Sequence, residues 1–80
     1  MTRAEAISAA YRLRLLPVGW DGRSSPAPTT VAVARTVAIL RGLVPRSVVE
    51  VSPMVGGGVQ ITSGDWVVEV GPDGEEEVTR

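Results

Sequence analysis

The spacing of apolar residues changes from a helical to a strand-like period part-way along this chain, and that change limits the folds open to it. Up to residue 44, apolar side chains recur every three or four positions, which is typical of amphipathic helices. From residue 47 they alternate with polar side chains, which is typical of half-buried strands. Helices followed by strands favour an α+β domain in which two N-terminal helices pack on an antiparallel sheet.

The two helices are predicted at about 3–16 and 29–43. Thr2 and Glu5 have the spacing of a capping box, and Pro17 disfavours helical geometry at the residue before it. Gly42 and Pro45 are expected to end the second helix. The apolar stripe of the first helix is Ala6, Ala9, Ala10, Leu13 and Leu16, and that of the second is Val33, Val37, Leu40 and Val44.

Strands are predicted at about 47–52, 58–62 and 65–70. Glycine-containing turns at 56–58, 63–65 and 72–74 separate these segments, and such short connections imply an antiparallel meander. A highly charged segment at 75–79 would add a fourth, edge strand. In the third strand Trp66, Val68 and Val70 are expected to face the core. The whole chain, 1–80, is predicted to be one small domain with three or four strands.

Residue types that are missing exclude several kinds of chemistry. The chain has no cysteine, histidine or lysine. An ordinary Ser-His-Asp or Cys-His site is therefore impossible, and thiolate and imidazole metal ligands are missing. Glu50 and Glu69 share one face of the predicted sheet, but an open sheet face does not raise a carboxyl pKa as a cleft does. We therefore expect no enzyme activity, no metal site and no cofactor.

Charge is divided unequally between the two halves of the chain. Residues 1–46 carry seven arginines and two acids, a net charge of +5, whereas residues 47–80 carry one arginine and seven acids, a net charge of −6. Such a dipole favours oriented encounter with a charged partner. The alternative is that helices and sheet attract each other within the molecule.

Two candidate binding surfaces follow from this division. An acidic sheet side, on which Val48 would add apolar area, could occupy an arginine-lined surface built for nucleic acid, because carboxylates pair with guanidinium as phosphates do. Its predicted residues are Glu50, Gln60, Thr62, Val67, Glu69, Glu75, Glu76 and Glu77. A basic helical surface could bind a protein or nucleic acid directly. Its predicted residues are Tyr11, Arg12, Arg14, Arg35 and Arg41.

The connector between the helices contains Gly19-Trp20-Asp21-Gly22, a tight turn with a large aromatic side chain. We expect a structural role for this turn, in which Trp20 covers an open end of the core and Asp21 binds a backbone amide or Arg23. Trp66 is expected to be structural as well.

Several motifs occur in the same order in a set of small bacterial proteins: Leu16-Pro17, the Gly19–Gly22 turn, a helix opened by Ser-Pro, Ser52-Pro53 and Gly57-Gly58-Val59-Gln60-Ile61. Over about residues 13–75 the chain resembles that set, which has a GWDG turn, a helix, a proline and a GGVQ strand. The set carries no known activity, so the resemblance implies a layout and no function. The chain departs from it at Thr62-Ser63, where an acid and a tryptophan are usual.

These observations favour a non-enzymatic interaction module, a small inhibitor or regulator that blocks a surface of a larger protein or nucleoprotein complex. Small chains of this kind in bacteria and phages are often antitoxins or anti-CRISPR inhibitors, which is an association with size and composition only. Nucleic-acid binding by the basic helices is the alternative. No apolar run approaches the ~18 residues of a membrane helix, so we expect a cytoplasmic monomer or homodimer without membrane contact.

Overall fold

The computed structural model describes residues 1–79 and shows two helices followed by a four-stranded antiparallel sheet. The elements are α1 (Arg3–Leu13), α2 (Thr30–Arg41), β1 (Glu50–Pro53), β2 (Val59–Ser63), β3 (Trp66–Val70) and β4 (Glu76–Thr79). Strand order β1-β2-β3-β4 makes the sheet a meander. The predicted α+β architecture is thus confirmed, and segment 75–79 supplies the fourth strand.

Helix α1 begins with the predicted capping box. The Thr2 hydroxyl accepts a hydrogen bond from the Glu5 amide at 3.3 Å, and the Glu5 carboxylate accepts one from the Thr2 amide at 2.9 Å. The helix ends at Leu13, earlier than the predicted residue 16. The amides of Leu15 and Leu16 bond to carbonyls three residues back, which tightens the last turn. Because Leu15 is 76% exposed, continuing the helix would bury little apolar surface.

Helix α2 is also shorter than predicted. Thr29 is its N-cap and accepts a hydrogen bond from the Ala32 amide at 3.0 Å, so the helix proper starts at residue 30. It ends at Arg41, and the Gly42 amide turns back to the Ile39 carbonyl at 3.1 Å. The predicted inward position of Val44 is wrong: this side chain lies beyond the helix and is 67% exposed.

Strand β1 starts at residue 50 rather than at the predicted 47. The preceding residues pair with the start of the chain instead: Val48 forms an isolated bridge with Thr2, and the Val49 amide donates to the Met1 carbonyl at 2.8 Å. Pro53 is the last residue of β1, one position beyond the predicted end at residue 52. An edge strand tolerates a proline, because its outer amides need no partner in the sheet.

One core lies between the helices and one face of the sheet. The helices approach each other through fully buried alanines, and larger aliphatic side chains fill the space below. Helix α1 contacts α2 and β1, whereas α2 covers β2 and β3. The buried apolar residues are Ala6, Ala10, Ala32, Val33, Val37, Leu40, Val49, Val59, Ile61, Val68 and Val70. Trp66 is half-buried and packs against this core, as expected.

The connector before α2 is held by its own hydrogen bonds. Asp21 accepts from the Arg23 amide at 2.9 Å, the kind of backbone contact predicted for it, and from the Ser25 hydroxyl at 2.6 Å. The Trp20 indole donates to the Pro26 carbonyl at 2.8 Å. Trp20 is half-buried but is not among the residues packed against the core, so its predicted position over the core is wrong. Its hydrogen bond joins the ring to the connector instead.

Candidate interaction surfaces

The face of the sheet that points away from the helices, the outer face, is covered by no other described element. Strand pairing arranges its side chains in two rows that cross the strands. One row is Glu50, Thr62, Val67 and Thr79. The other row is Ser52, Gln60, Glu69 and Glu77. Six of the eight residues predicted for the acidic sheet side are thereby brought together on the outer face.

Two carboxylates of the second row face each other directly. Glu69 on β3 and Glu77 on β4 are register partners. Like charges directly opposite one another destabilise a sheet. None of the four described strands contains an arginine that could offset this repulsion. The outer face therefore holds carboxylates that no neighbouring strand residue neutralises.

Glu75 and Glu76 do not belong to the outer face, and this corrects the predicted acidic set. Glu75 lies in the turn before β4, where its carbonyl accepts from the Gly71 amide at 2.7 Å. Glu76 is the register partner of Val70, whose side chain is buried in the core, so Glu76 points to the helix side of the sheet. There it binds Arg35. Adjacent residues of a strand point to opposite faces, so three consecutive glutamates cannot share one face.

A shallow depression of about 510 Å³ lies at the end of the sheet where β3 turns into β4. Its acidic lining residues are Glu69, Asp73, Glu75, Glu76 and Glu77. Within residues 1–79, no group of three or more acidic side chains is arranged to hold a metal ion. The depression is thus an acidic region of the surface.

The predicted basic residues divide among three places. Tyr11, Arg14 and Arg41 line one groove between the helices. Arg12 lies on another side of α1, in a depression with Met1 and Glu5. Arg35 is occupied by Glu76. The structure thus reduces the basic surface to one aromatic and two arginine side chains.

Sequence reasoning missed the exposed α2 side of this groove. Exposed Ala34 and Ala38 lie one turn apart on α2 and line the groove together with Tyr11 and Arg41. The signal was the spacing of Thr30, Ala34, Ala38 and Arg41, which places all four on one side of a helix. This spacing predicted no binding surface because alanine carries neither a charge nor a large apolar side chain.

Two carboxyl groups, those of Glu5 and Asp21, have a lowered pKa because of local hydrogen bonds. The backbone and side-chain hydrogen bonds with Thr2 lower the pKa of Glu5. The hydrogen bond from Ser25 is the main cause of a lowered pKa at Asp21, with further help from the Arg23 amide. Both groups stabilise local turns, at the helix cap and in the connector, and neither lies on the outer face.

No protein-family model matches this chain, and no curated protein or solved structure matches it significantly. The resemblance to small GWDG proteins therefore stays a prediction. None of the helices within residues 1–79 combines the length and apolarity needed to cross a bilayer. Function must be argued from the two surfaces themselves.

Proposed function

We propose that this protein is a non-enzymatic binding module whose outer sheet face docks on a basic surface of a larger protein and blocks it. The opposition of Glu69 and Glu77 carries the proposal. A cross-strand pair of like charges costs stability, and a cationic partner would remove that cost on binding.

The composition of the outer face supports the same function. Thr62 and Val67 are half-buried neighbours in the same row as Glu50. The outer face therefore combines some apolar area with carboxylates. Arginine is enriched at protein interfaces and binds carboxylates in a two-pronged geometry. An arginine-rich surface of the kind that binds nucleic acid fits this face, and an inhibitor or regulator would act by covering it.

Direct nucleic-acid binding by the helices has weaker support. Arg35 is paired with Glu76, and Arg12 lies apart from the groove. Of the predicted arginines, Arg14 and Arg41 then remain to line one groove. Proteins that depend on phosphate contacts commonly use about 6–10 of them. A mobility-shift assay with duplex and single-stranded oligonucleotides should therefore show no salt-sensitive shift at low micromolar protein.

The experiment that tests the proposal is an affinity pull-down from the native host, with recovered proteins identified by mass spectrometry. Glu69→Gln/Glu77→Gln removes the two facing charges and should abolish recovery of the partner. Asp65→Asn removes a charge from the exposed β2–β3 turn and should leave recovery unchanged. A short duplex should displace the partner if its covered surface binds nucleic acid. Equal recovery with wild type and Glu69→Gln/Glu77→Gln would show that the outer face is not the binding surface.

A further inference from the structure

The groove between α1 and α2 has features that the outer-face proposal does not use. It encloses about 260 Å³ and is lined by Tyr11, Arg14, Thr30, Val33, Ala34, Val37, Ala38 and Arg41. The α2 side is low because Ala34 and Ala38 are small and exposed. On the α1 side Tyr11 forms an aromatic wall and is 41% exposed. The result is a narrow groove, open to solvent, in which aliphatic side chains lie beside the Tyr11 ring and two arginines.

The charges of the groove are all positive. No acidic residue lines it. The Arg3 guanidinium donates to the Leu43 carbonyl at 3.0 Å, which places the start of α1 beside the end of α2. The helices are therefore antiparallel, and Arg14 and Arg41 flank opposite ends of the groove. In the described part of the chain, neither forms a salt bridge.

The dimensions favour a docked chain segment over a small molecule. Pockets for small ligands usually measure about 300–1,000 Å³, and this groove is smaller. Apolar side chains on the α2 side of the groove suit an aliphatic anchor side chain and contribute nothing to a phosphate. Arginine at each end can form charge-assisted hydrogen bonds with carboxylates.

From this combination we propose that the α1–α2 groove docks an acidic segment of a partner protein. An apolar side chain of that segment lies on Ala34 and Ala38, and flanking carboxylates bind Arg14 and Arg41. This docking is independent of the outer face, which takes a basic surface. The molecule would then have a basic and an acidic docking site on opposite layers, as expected of an adaptor between two proteins.

The test is fluorescence anisotropy with a labelled peptide as long as α2, carrying a central leucine flanked on both sides by glutamates. A second peptide has glutamine in place of the glutamates, and a third has serine in place of the leucine. A labelled single-stranded oligonucleotide tests nucleic acid as the occupant of the groove. Sedimentation of the protein alone tests a second copy of the chain as the occupant. The protein variants are Arg14→Gln/Arg41→Gln and Ala38→Glu, which adds an acid to the α2 side of the groove. The matched control is Arg12→Gln/Arg23→Gln, which removes as much charge outside the groove.

We expect the acidic peptide to bind in the micromolar range and both altered peptides to bind more weakly. Arg14→Gln/Arg41→Gln should weaken binding of the acidic peptide at least about tenfold, since each lost ion pair leaves a carboxylate without its partner. Ala38→Glu should weaken binding too, while the Arg12→Gln/Arg23→Gln control and Glu69→Gln/Glu77→Gln should bind normally. Thermal melts would verify that each variant is folded.

Five results would overturn the inference, of which the first four concern the peptides and the oligonucleotide. In the first two, the wild-type protein fails to bind the acidic peptide or binds the glutamine peptide equally well. In the third, a folded Arg14→Gln/Arg41→Gln variant binds the acidic peptide as the wild type does. In the fourth, the protein prefers the oligonucleotide, and that binding depends on Arg14 and Arg41. Self-association that is lost in the arginine variants would assign the groove to a second copy and would also overturn it. Each of these results leaves the outer-face proposal standing, because that proposal depends on Glu69 and Glu77.

Discussion

Arg35 of α2 and Glu76 of β4 form an ion pair that joins the helix layer to the outermost strand of the sheet. The Arg35 Nε atom donates to a Glu76 carboxylate oxygen at 2.7 Å, and a second guanidinium nitrogen binds the same oxygen. Within residues 1–79 it is the only salt bridge. One arginine of the basic half of the chain is thus paired with one glutamate of the acidic half within the molecule. Glu50, Glu69 and Glu77 on the outer face and Arg14 and Arg41 in the groove take no part in this pair.

This pair should contribute little to stability. The side chains are 53% and 30% exposed, and pairs at protein surfaces typically contribute about 0.2–1 kcal/mol. We expect a double-mutant cycle with Arg35→Gln and Glu76→Gln to give a coupling energy of that size in chemical denaturation, decreasing as salt is added. A coupling energy of zero at low salt would mean that the pair does not hold β4 to α2.

The assignment of glutamates to faces shows what could be predicted from sequence. Alternation correctly predicted that Val68 and Val70 of β3 enter the core, since both are buried. The same rule, applied to 75–79, separates Glu76 from Glu77. Treating these acids as one charged segment hid that separation. The facing of Glu69 and Glu77 depends on strand register, which is set by the turn and by packing rather than by residue pattern.

Glu77→Lys should stabilise the fold and weaken partner binding at the same time. The substitution replaces a like-charge pair across β3 and β4 with an opposite-charge pair, which favours the sheet by about 0.2–1 kcal/mol. Denaturation and pull-down with the same sample measure the two effects. Asp65→Lys makes the same charge change in an exposed turn and should do neither. A less stable Glu77→Lys variant would show that Glu69 and Glu77 do not repel each other appreciably.

Acid should destabilise the connector through Asp21. The hydrogen bond from Ser25 holds the Asp21 pKa below its ordinary value of 3.8, so the folded state favours the ionised form. The stabilisation is fully present above that ordinary value and is lost as pH falls through the lowered, folded-state pKa. Asp21→Asn should therefore flatten the acid limb of a plot of melting temperature against pH. NMR titration of the Asp21 carboxyl in Ser25→Ala should show its pKa moving upward. An unchanged acid limb in Asp21→Asn would mean that other carboxyl groups account for it.

Trp20 shows a second limit of sequence reasoning. An aromatic side chain between glycines can enter the core or fasten a loop, and local sequence does not distinguish the two. Here the ring binds the connector through the Pro26 carbonyl. We expect Trp20→Phe to retain a cooperative melt and lose about 1 kcal/mol, the net value of one hydrogen bond. Near-ultraviolet circular dichroism should keep the signal of Trp66. Global unfolding of Trp20→Phe would mean that the indole hydrogen bond holds the whole domain together.

The approach of β2 to β3 should make Gly58 intolerant of any side chain. A Cβ atom at this position would overlap the Val70 carbonyl oxygen, which is backbone and cannot rotate away. Moving it would displace the fully buried Val70 side chain. We expect Gly58→Ala to cost about 1–3 kcal/mol, as other overpacked substitutions do. In a domain of this size, each kcal/mol shifts the melting temperature by about 4–8 °C, so calorimetry resolves the effect.

Gly42→Ala is the matched control for Gly58→Ala, because Gly42 also has ordinary backbone geometry. It has a φ of −79° at the end of α2, and the nearest atom to an added Cβ is the Ile39 carbonyl oxygen at 3.4 Å. Alanine there reduces the freedom of the unfolded chain without a severe clash, so the protein should be unchanged or stabilised by up to about 1 kcal/mol. If Gly58→Ala proved as stable as Gly42→Ala, β2 and β3 would have room to separate at this point.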